Sequence, residues 1–302
     1  MYDLCCVGHI TKDKVVTPKS IHHMAGGTSW YFSQALSQLH ANYLLVTAVG
    51  ASEMNYVQEL ERKGIAVQAV HSRHTVYFEN RYGIDLNHRT QRVVQTADPF
   101  MAYHLRDVYS SYYHIGALLA DDVPLEVIQL LASRGVVALD AQGYLRKVEN
   151  EKVRAVDWKE KREALPLISI LKVNDDELTT LTGCRKIADG ARLLAAWGVK
   201  EVVITLGSQG SVIYCEGVFY PIPAFVPLQE ADATGCGDTY MAGYLYQRSR
   251  GSFIQQAGEF AAAMASKKME AAGPFYGSEE DVEYVINNAV RTTLEQRIVH
   301  QA

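Results

Sequence analysis

Cysteine and proline are scarce in this 302-residue chain, at 5 and 8 residues. The cysteines are odd in number, Cys5 and Cys6 are adjacent, and the rest are scattered without metal-ligand spacing. That excludes a disulfide scaffold and points to a reduced, cytoplasmic protein. No apolar run is long enough to span a bilayer. The first residues, Met1 to Gly8, offer neither a basic n-region nor a small-residue cleavage site, so they read as a buried strand rather than a signal peptide. Excess positive charge is missing too. Lys and Arg total 29 against 34 acidic residues, a formal net charge of −5 with no basic stripe, which argues against a nucleic-acid surface. No G-x-x-x-x-G-K-[ST] string occurs, and Val7-Gly8-His9-Ile10 carries one glycine where a dinucleotide fingerprint needs three. A Walker-type kinase and a dinucleotide dehydrogenase therefore fall away. The 10 histidines include the pair His22-His23, which reads as loop surface, and none has zincin or finger spacing.

What is present is a large apolar fraction, 48%, arranged as short strands alternating with amphipathic helices. Strands are expected at residues 4–7, 43–49, 112–115, 136–140, 167–173 and 202–206, and helices at 31–39, 53–63 and from Leu125, Asp175 and Gly190. Three helices are expected after Gly235, with the Ala-rich stretch 256–272 buried. This is an α/β pattern, a mostly parallel sheet covered on both faces. One segment interrupts it. Between Val67 and Gln95 three extended runs follow one another without a helix, which predicts a small antiparallel sheet. On its middle strand Val76, Phe78, Asn80 and Tyr82 share one face, and Tyr77, Glu79 and Arg81 the other. Such a sheet either covers a site, where Asn80, Arg81 or Tyr82 could reach a ligand, or decorates the edge of the main sheet.

The most informative run is Asp232-Ala-Thr234-Gly235-Cys236-Gly237-Asp238. Small residues followed by an apolar helical pattern (Tyr240, Met241, Tyr244, Leu245) place backbone N–H groups at a helix N-terminus, where anions are favoured. Asp238 would repel a resting phosphate, yet it could accept the proton of a hydroxyl lying between it and the anion hole. Elsewhere, Asn174 and Glu177 sit three residues apart after a strand, a capping pattern that also suits a phosphate and a magnesium ion. The run Thr205-Leu-Gly207-Ser-Gln-Gly210 is a strand entering a two-glycine turn. Asp140 closes another strand, and Arg146 just beyond it could meet phosphate oxygens bidentately.

The run at 232–238 resembles the D-T-x-G-A-G-D signature of the ribokinase-like (PfkB) carbohydrate kinases. Asp13 with Gly26-Gly27, Asn174-x-x-Glu177 and Thr205-x-Gly207-x-x-Gly210 resemble further elements of that family in the same order. The resemblance implies a three-layer α/β sandwich as one domain over 1–302, with a small β-sheet lid at about 12–25 and 67–98 that can also form a homodimer contact. It implies an ATP- and Mg2+-dependent kinase for a hydroxyl of a sugar, cyclitol or related polyol, with Asp238 as base and Gly235, Cys236 and Gly237 as anion hole. Asp13, Gly26, Gly27, Tyr31, Asn80, Tyr82 and Arg146 would then face the substrate. Asn174, Thr205, Gly207, Gly210 and Thr234 would serve the nucleotide, Glu177 would hold Mg2+ through water, and a monovalent cation is expected near Asp232. A nucleoside kinase or a non-catalytic sugar sensor on the same fold stays open, and no nucleic-acid or membrane partner is expected. Three departures stand out. Tyr31 replaces the family's usual Asn, which puts a ribose-type contact in doubt and suggests another polyol or a stacked ring. Cys236 replaces Ala, and a thiol at a helix start is expected to have a lowered pKa. Gly50-Ala-Ser-Glu53 lacks the G-x-D carboxylate. Gly273-Pro-Phe-Tyr276 is similar to cyclitol-like and nucleoside-like branches.

Overall fold

The computed structural model describes residues 1–18, 20–82 and 89–292; the side chains of Tyr82 and Arg89 lie outside the described set. In chain order the first half runs β1 (Tyr2–Val7), β2 (Thr11–Val16), β3 (Ile21–Gly26), α1 (Thr28–Ser37), β4 (Tyr43–Val49), α2 (Met54–Arg62), β5 (Ala66–His71), β6 (Val76–Tyr82), β7 (Arg89–Gln95), β8 (Ser110–Ile115), α3 (Leu125–Ala132) and β9 (Val136–Asp140). Then come β10 (Arg146–Glu149), β11 (Lys152–Ala155), α4 (Lys161–Ala164), β12 (Ile170–Asn174), α5 (Asp175–Thr182), α6 (Ile187–Ala196), β13 (Glu201–Thr205), β14 (Ser211–Cys215), β15 (Val218–Ile222), α7 (Cys236–Ser249), α8 (Ile254–Met269) and α9 (Glu279–Asn288).

Nine strands form one sheet in the order β15-β14-β13-β12-β9-β8-β1-β4-β5. From β13 to β5 the neighbours are parallel, and the hairpin β14–β15 adds an antiparallel edge. Alternate residues of the apolar strands face opposite layers, as the two-residue period requires. Leu4 and Cys6 pack with Phe32, Leu60, Tyr244 and Phe260 of α1, α2, α7 and α8. Cys5 and Val7 pack with Val127, Leu178 and Leu194 of α3, α5 and α6 on the other face. Burying side chains of this size stabilises the fold by about 1.5–3 kcal/mol each.

The second sheet has the order β10-β11-β7-β6-β2-β3. Three expectations are corrected here. Residues 66–71 leave the small sheet and pair in parallel with β4 at the edge of the large one. The small sheet instead gains β10 and β11, a hairpin that follows Asp140. It is mixed rather than antiparallel, because β2 and β6 run in parallel. An extended run shows its own period but not its partner, and that is why the sequence misplaced these strands. His22 and His23 lie on the edge strand β3, exposed, rather than in a loop. The helix expected at 31–39 begins at Thr28, because Gly27 at φ 86° turns the chain directly out of β3. The strand expected from 167 begins at Ile170, after a tight turn over Leu165–Leu167 that contains Pro166.

The two faces of the small sheet differ in chemistry. Val76, Phe78 and Val93 bury against Leu118 and Leu119 from the loop after β8. The opposite face carries charge pairs: Lys14 to Glu79 at 2.9 Å, Arg81 to Glu79 at 2.7 Å and Lys12 to Glu53 at 3.1 Å. Glu53, three residues after Gly50, also accepts from the Thr75 hydroxyl at 3.0 Å.

Candidate active site

Strand order departs in two directions from β1 and β8, and open parallel sheets bind ligands at the carboxyl ends of the strands at such a switch. Gly8 and Gly116 end these strands. A Cβ on Gly8 would lie 2.5 Å from the Gly116 carbonyl, and one on Gly116 would lie 2.5 Å from the Thr28 side chain. Their absence lets the start of α1 sit over the sheet edge.

Asp13, on β2, accepts from the Thr11 hydroxyl at 2.7 Å. Gly26 lies directly beneath it, since a Cβ there would meet the Asp13 carboxylate at 2.5 Å. Gly27 and Thr28 follow, and the Thr28 hydroxyl faces the Asp238 carboxylate closely enough to favour its ionised form. A continuous wall thus leads from the acidic residue of the small sheet to the acidic residue of α7. Asn80 belongs to the face of the small sheet that also carries Asp13 and Phe78. It is buried and its Oδ1 accepts from Gln91 at 3.0 Å. The Tyr82 side chain lies outside the described residues.

Asp238 stands on the first turn of α7, partly open to the cleft. Burial, reinforced by the nearby Asp140 carboxylate, pushes its pKa up to about 6, against the opposing pull of Lys172, Thr28 and Arg146. A carboxylate tuned toward neutrality suits a general base. Gly235 caps α7 in the left-handed conformation, φ 80°, with no side-chain cap. The Cys236 N–H turns back to the Ala233 carbonyl at 3.2 Å, which leaves the Gly237 and Asp238 N–H groups of the first turn to a guest.

Two sequence-based expectations fail at this loop. A Cβ on Gly235 would collide with the Tyr31 ring, and Tyr31 is 2% exposed with a buried hydroxyl, so it shapes the loop from beneath and does not face substrate. The Cys236 thiol donates to the Ala265 carbonyl at 3.6 Å, and burial raises its pKa to about 11. Burial thus outweighs the nearby Lys268 charge, and the thiol is not activated.

Beneath α7 lies a charge cluster that the sequence hid. Lys172, in the apolar strand β12, is 6% exposed and pairs with Asp140 at 2.8 Å. Its ammonium lies 3.3 Å from where a Cβ on Gly237 would stand. Burial works against its charge, but Asp140 and Glu177 overcome that and hold it firmly protonated. Asp140 is held below the usual carboxylate range because Lys172 outweighs its own burial. A lysine inside an Ile-Leu-Lys-Val strand was the signal available for it.

Asn174 and Glu177 form a reciprocal cap on α5, with bonds of 2.7 and 2.8 Å. Glu177 also accepts from Gln142 at 3.2 Å, and burial with the Asp140 charge raises its pKa. Asn174 is in register with Thr205 on the next strand, so this pair flanks the turn Gly207–Gln209. Gly207 at φ 58° borders open space, whereas a Cβ on Gly210 would strike the Ile222 carbonyl. Among the described residues no three His, Cys, Asp or Glu side chains gather as a metal cage. Magnesium bound mostly by phosphate and water needs only one or two carboxylates, and Glu177 fits that. A free monovalent cation beside Asp232 does not fit, because the Lys268 ammonium occupies that place, 2.7 Å from the Asp232 carbonyl. The Asp232 carboxylate accepts the Thr234 N–H at 2.9 Å.

The sequence pattern of pfkB family carbohydrate kinases matches residues 1–281, and the chain belongs to that family. Its fold is that of the ribokinases. A pyrophosphate-dependent kinase in the ribokinase family, solved with a pyrophosphate analogue and myo-inositol, superposes with a TM-score of 0.83 at 29% identity, covering 93% of this chain and 99% of that one. The ribokinase of Arabidopsis thaliana with ribose and ATP superposes at 0.79 and 20% identity, covering 95% and 99%. A cytidine kinase of Thermococcus kodakarensis is 26% identical over 85% of this chain and 92% of its own length. The chain is accordingly a phosphotransferase of the carbohydrate-kinase family. No described helix is long and apolar enough to cross a membrane.

Proposed function

We propose that this kinase transfers the terminal phosphoryl group of ATP to a hydroxyl of a cyclitol or similarly hydroxylated polyol. The observation that carries the reading is the Asp13–Gly26–Thr28–Asp238 wall, which sets a hydroxyl-binding carboxylate and a base with a pKa near 6 along one side of a cleft. Asp13 accepts from acceptor hydroxyls, and Asn80 adds polar contact from the same face. Asp238 takes the proton of the reacting hydroxyl as its oxygen bonds to the γ-phosphorus and the bond to the β–γ bridging oxygen breaks, releasing ADP. The Gly237 and Asp238 N–H groups receive the transferring oxygens, Arg146 approaches from the small sheet, and Lys172 adds fixed positive charge beneath them. If magnesium binds, Glu177 would hold it through water, and the ion would supply charge neutralisation for the phosphoryl group in transfer. The open turn at Gly207 leaves space for a base, beside Thr205 and Asn174.

The relative solved with myo-inositol supports a cyclitol over a nucleoside acceptor. It also supplies a second reading for the donor, since that kinase uses pyrophosphate, and the pair Lys172 and Arg146 would suit a donor made of phosphates alone. The test is turnover with inositols, hexoses and nucleosides as acceptors, each with ATP and with pyrophosphate, reading ADP and orthophosphate separately. Phosphorylated inositol with ADP formation is expected. A tightly bound acceptor that yields no phosphorylated product with either donor overturns the kinase reading in favour of a sugar sensor, and phosphorylated nucleoside alone overturns the acceptor class.

A further inference from the structure

Lys268 is 0% exposed, although it lies on the Ala-rich helix α8, where Ala261, Ala263 and Met264 are equally buried. A buried ammonium is costly unless its partners are well placed, and methionine would fill much of the same volume without that cost. Its contacts show what it holds. The Nζ donates to the Asp232 backbone carbonyl at 2.7 Å and lies 3.4 Å from Asp232 Oδ2. Asp232 Oδ1 in turn receives the Thr234 N–H at 2.9 Å. The same loop is sewn to the end of α8 by Ala231 N–H to the Met269 carbonyl at 2.9 Å and Leu228 N–H to Glu270 Oε1 at 3.1 Å. One residue past Thr234 comes Gly235, the left-handed cap on which the first turn of α7 depends. The ammonium is therefore the positive centre of the loop that ends in the anion hole, where a carbonyl and a carboxylate both point inward. Inward-facing oxygens of this kind need a cation.

We propose that Lys268 is the built-in monovalent cation of this loop: its ammonium takes the place a free potassium or sodium ion would fill beside the Asp232 carbonyl, and holds residues 232–237 in the phosphoryl-binding shape. Lys268 is a positioning residue, since it touches the loop and not the reacting atoms. The consequence for activity rests on the kinase reading, whereas the consequence for ion binding does not. The enzyme works without added monovalent cations.

Two measurements on the unaltered protein test this. Turnover in Tris, sodium and potassium buffers of equal ionic strength is expected to agree within about twofold, and activation by potassium of fivefold or more overturns the proposal while leaving the kinase reading in place. Crystals soaked in thallium acetate are expected to show no anomalous peak within about 3.5 Å of the Asp232 carbonyl, and a peak there overturns the proposal even if no turnover is ever found. Lys268→Met supplies the converse. Its kcat/KM is expected to fall at least tenfold in Tris and to recover in part with potassium or methylammonium, with a thallium peak appearing beside Asp232. Undiminished activity of Lys268→Met in Tris overturns the proposal. Should that variant not fold, the two measurements on the unaltered protein decide.

Discussion

Asp238 gives the strictest test of the site because one group sets both the pH profile and part of the stability. Its carboxyl is raised from 3.8 to about 6, chiefly by burial and next by the Asp140 charge. Only the ionised form can accept a proton. The kcat/KM is therefore level above about pH 7 and falls about tenfold per pH unit below about 6, with roughly one molecule in eleven competent at pH 5. The stability effect has the opposite sign. The fold favours the protonated acid, so the stabilisation is complete below about pH 3.8 and is lost as pH rises through about 6. At pH 8 the ionised carboxylate costs the folded state up to about 3 kcal/mol at 1.36 kcal/mol per pKa unit, and water in the cleft lowers that to about 1–3 kcal/mol. Asp238→Asn should remove this cost while reducing turnover by about 10²–10⁴-fold. At pH 8 the inactive variant is expected to melt about 2–6 °C higher, an advantage that vanishes at pH 4. Calorimetry at the two pH values and a coupled kinase assay read both effects. An acid limb centred near pH 4, or an Asn variant with near-normal turnover, refutes the reasoning.

The same geometry makes three further predictions. Asp13→Ala should raise the acceptor KM by about 10–150-fold through the lost charged hydrogen bond, with donor affinity by calorimetry unchanged; equal damage to donor binding would place Asp13 outside the acceptor pocket. Lys172→Met leaves Asp140 buried without its partner, so urea melts should show a loss of about 3–5 kcal/mol. Because Lys172 holds Asp238 down, the acid limb of surviving activity should move to higher pH, and an unmoved limb would show that the two groups do not communicate. Gly235→Ala forces a left-handed backbone on alanine and drives its Cβ into the Tyr31 ring. It should cost about 1–2 kcal/mol for the backbone alone and raise donor KM, and unaltered donor KM would sever the loop shape from phosphoryl binding.

The α/β alternation, the glycine turn before α7 and the Asn174–Glu177 cap were legible in the sequence, because each depends on residues near one another in the chain. A two-residue or helical period is local, and so is a glycine that must adopt a positive φ. The tertiary structure alone decided that residues 66–71 pair with β4 and that 146–155 complete the small sheet, since a strand's partner lies far along the chain. It alone turned Tyr31 under Gly235, pushed the Cys236 thiol up to about 11 by burial despite the Lys268 charge, and set Lys172 against Asp140 and Lys268 against Asp232. These are effects of burial and of charges brought within a few ångströms by folding. A sequence shows which groups can ionise; the packed interior determines which charge each one meets.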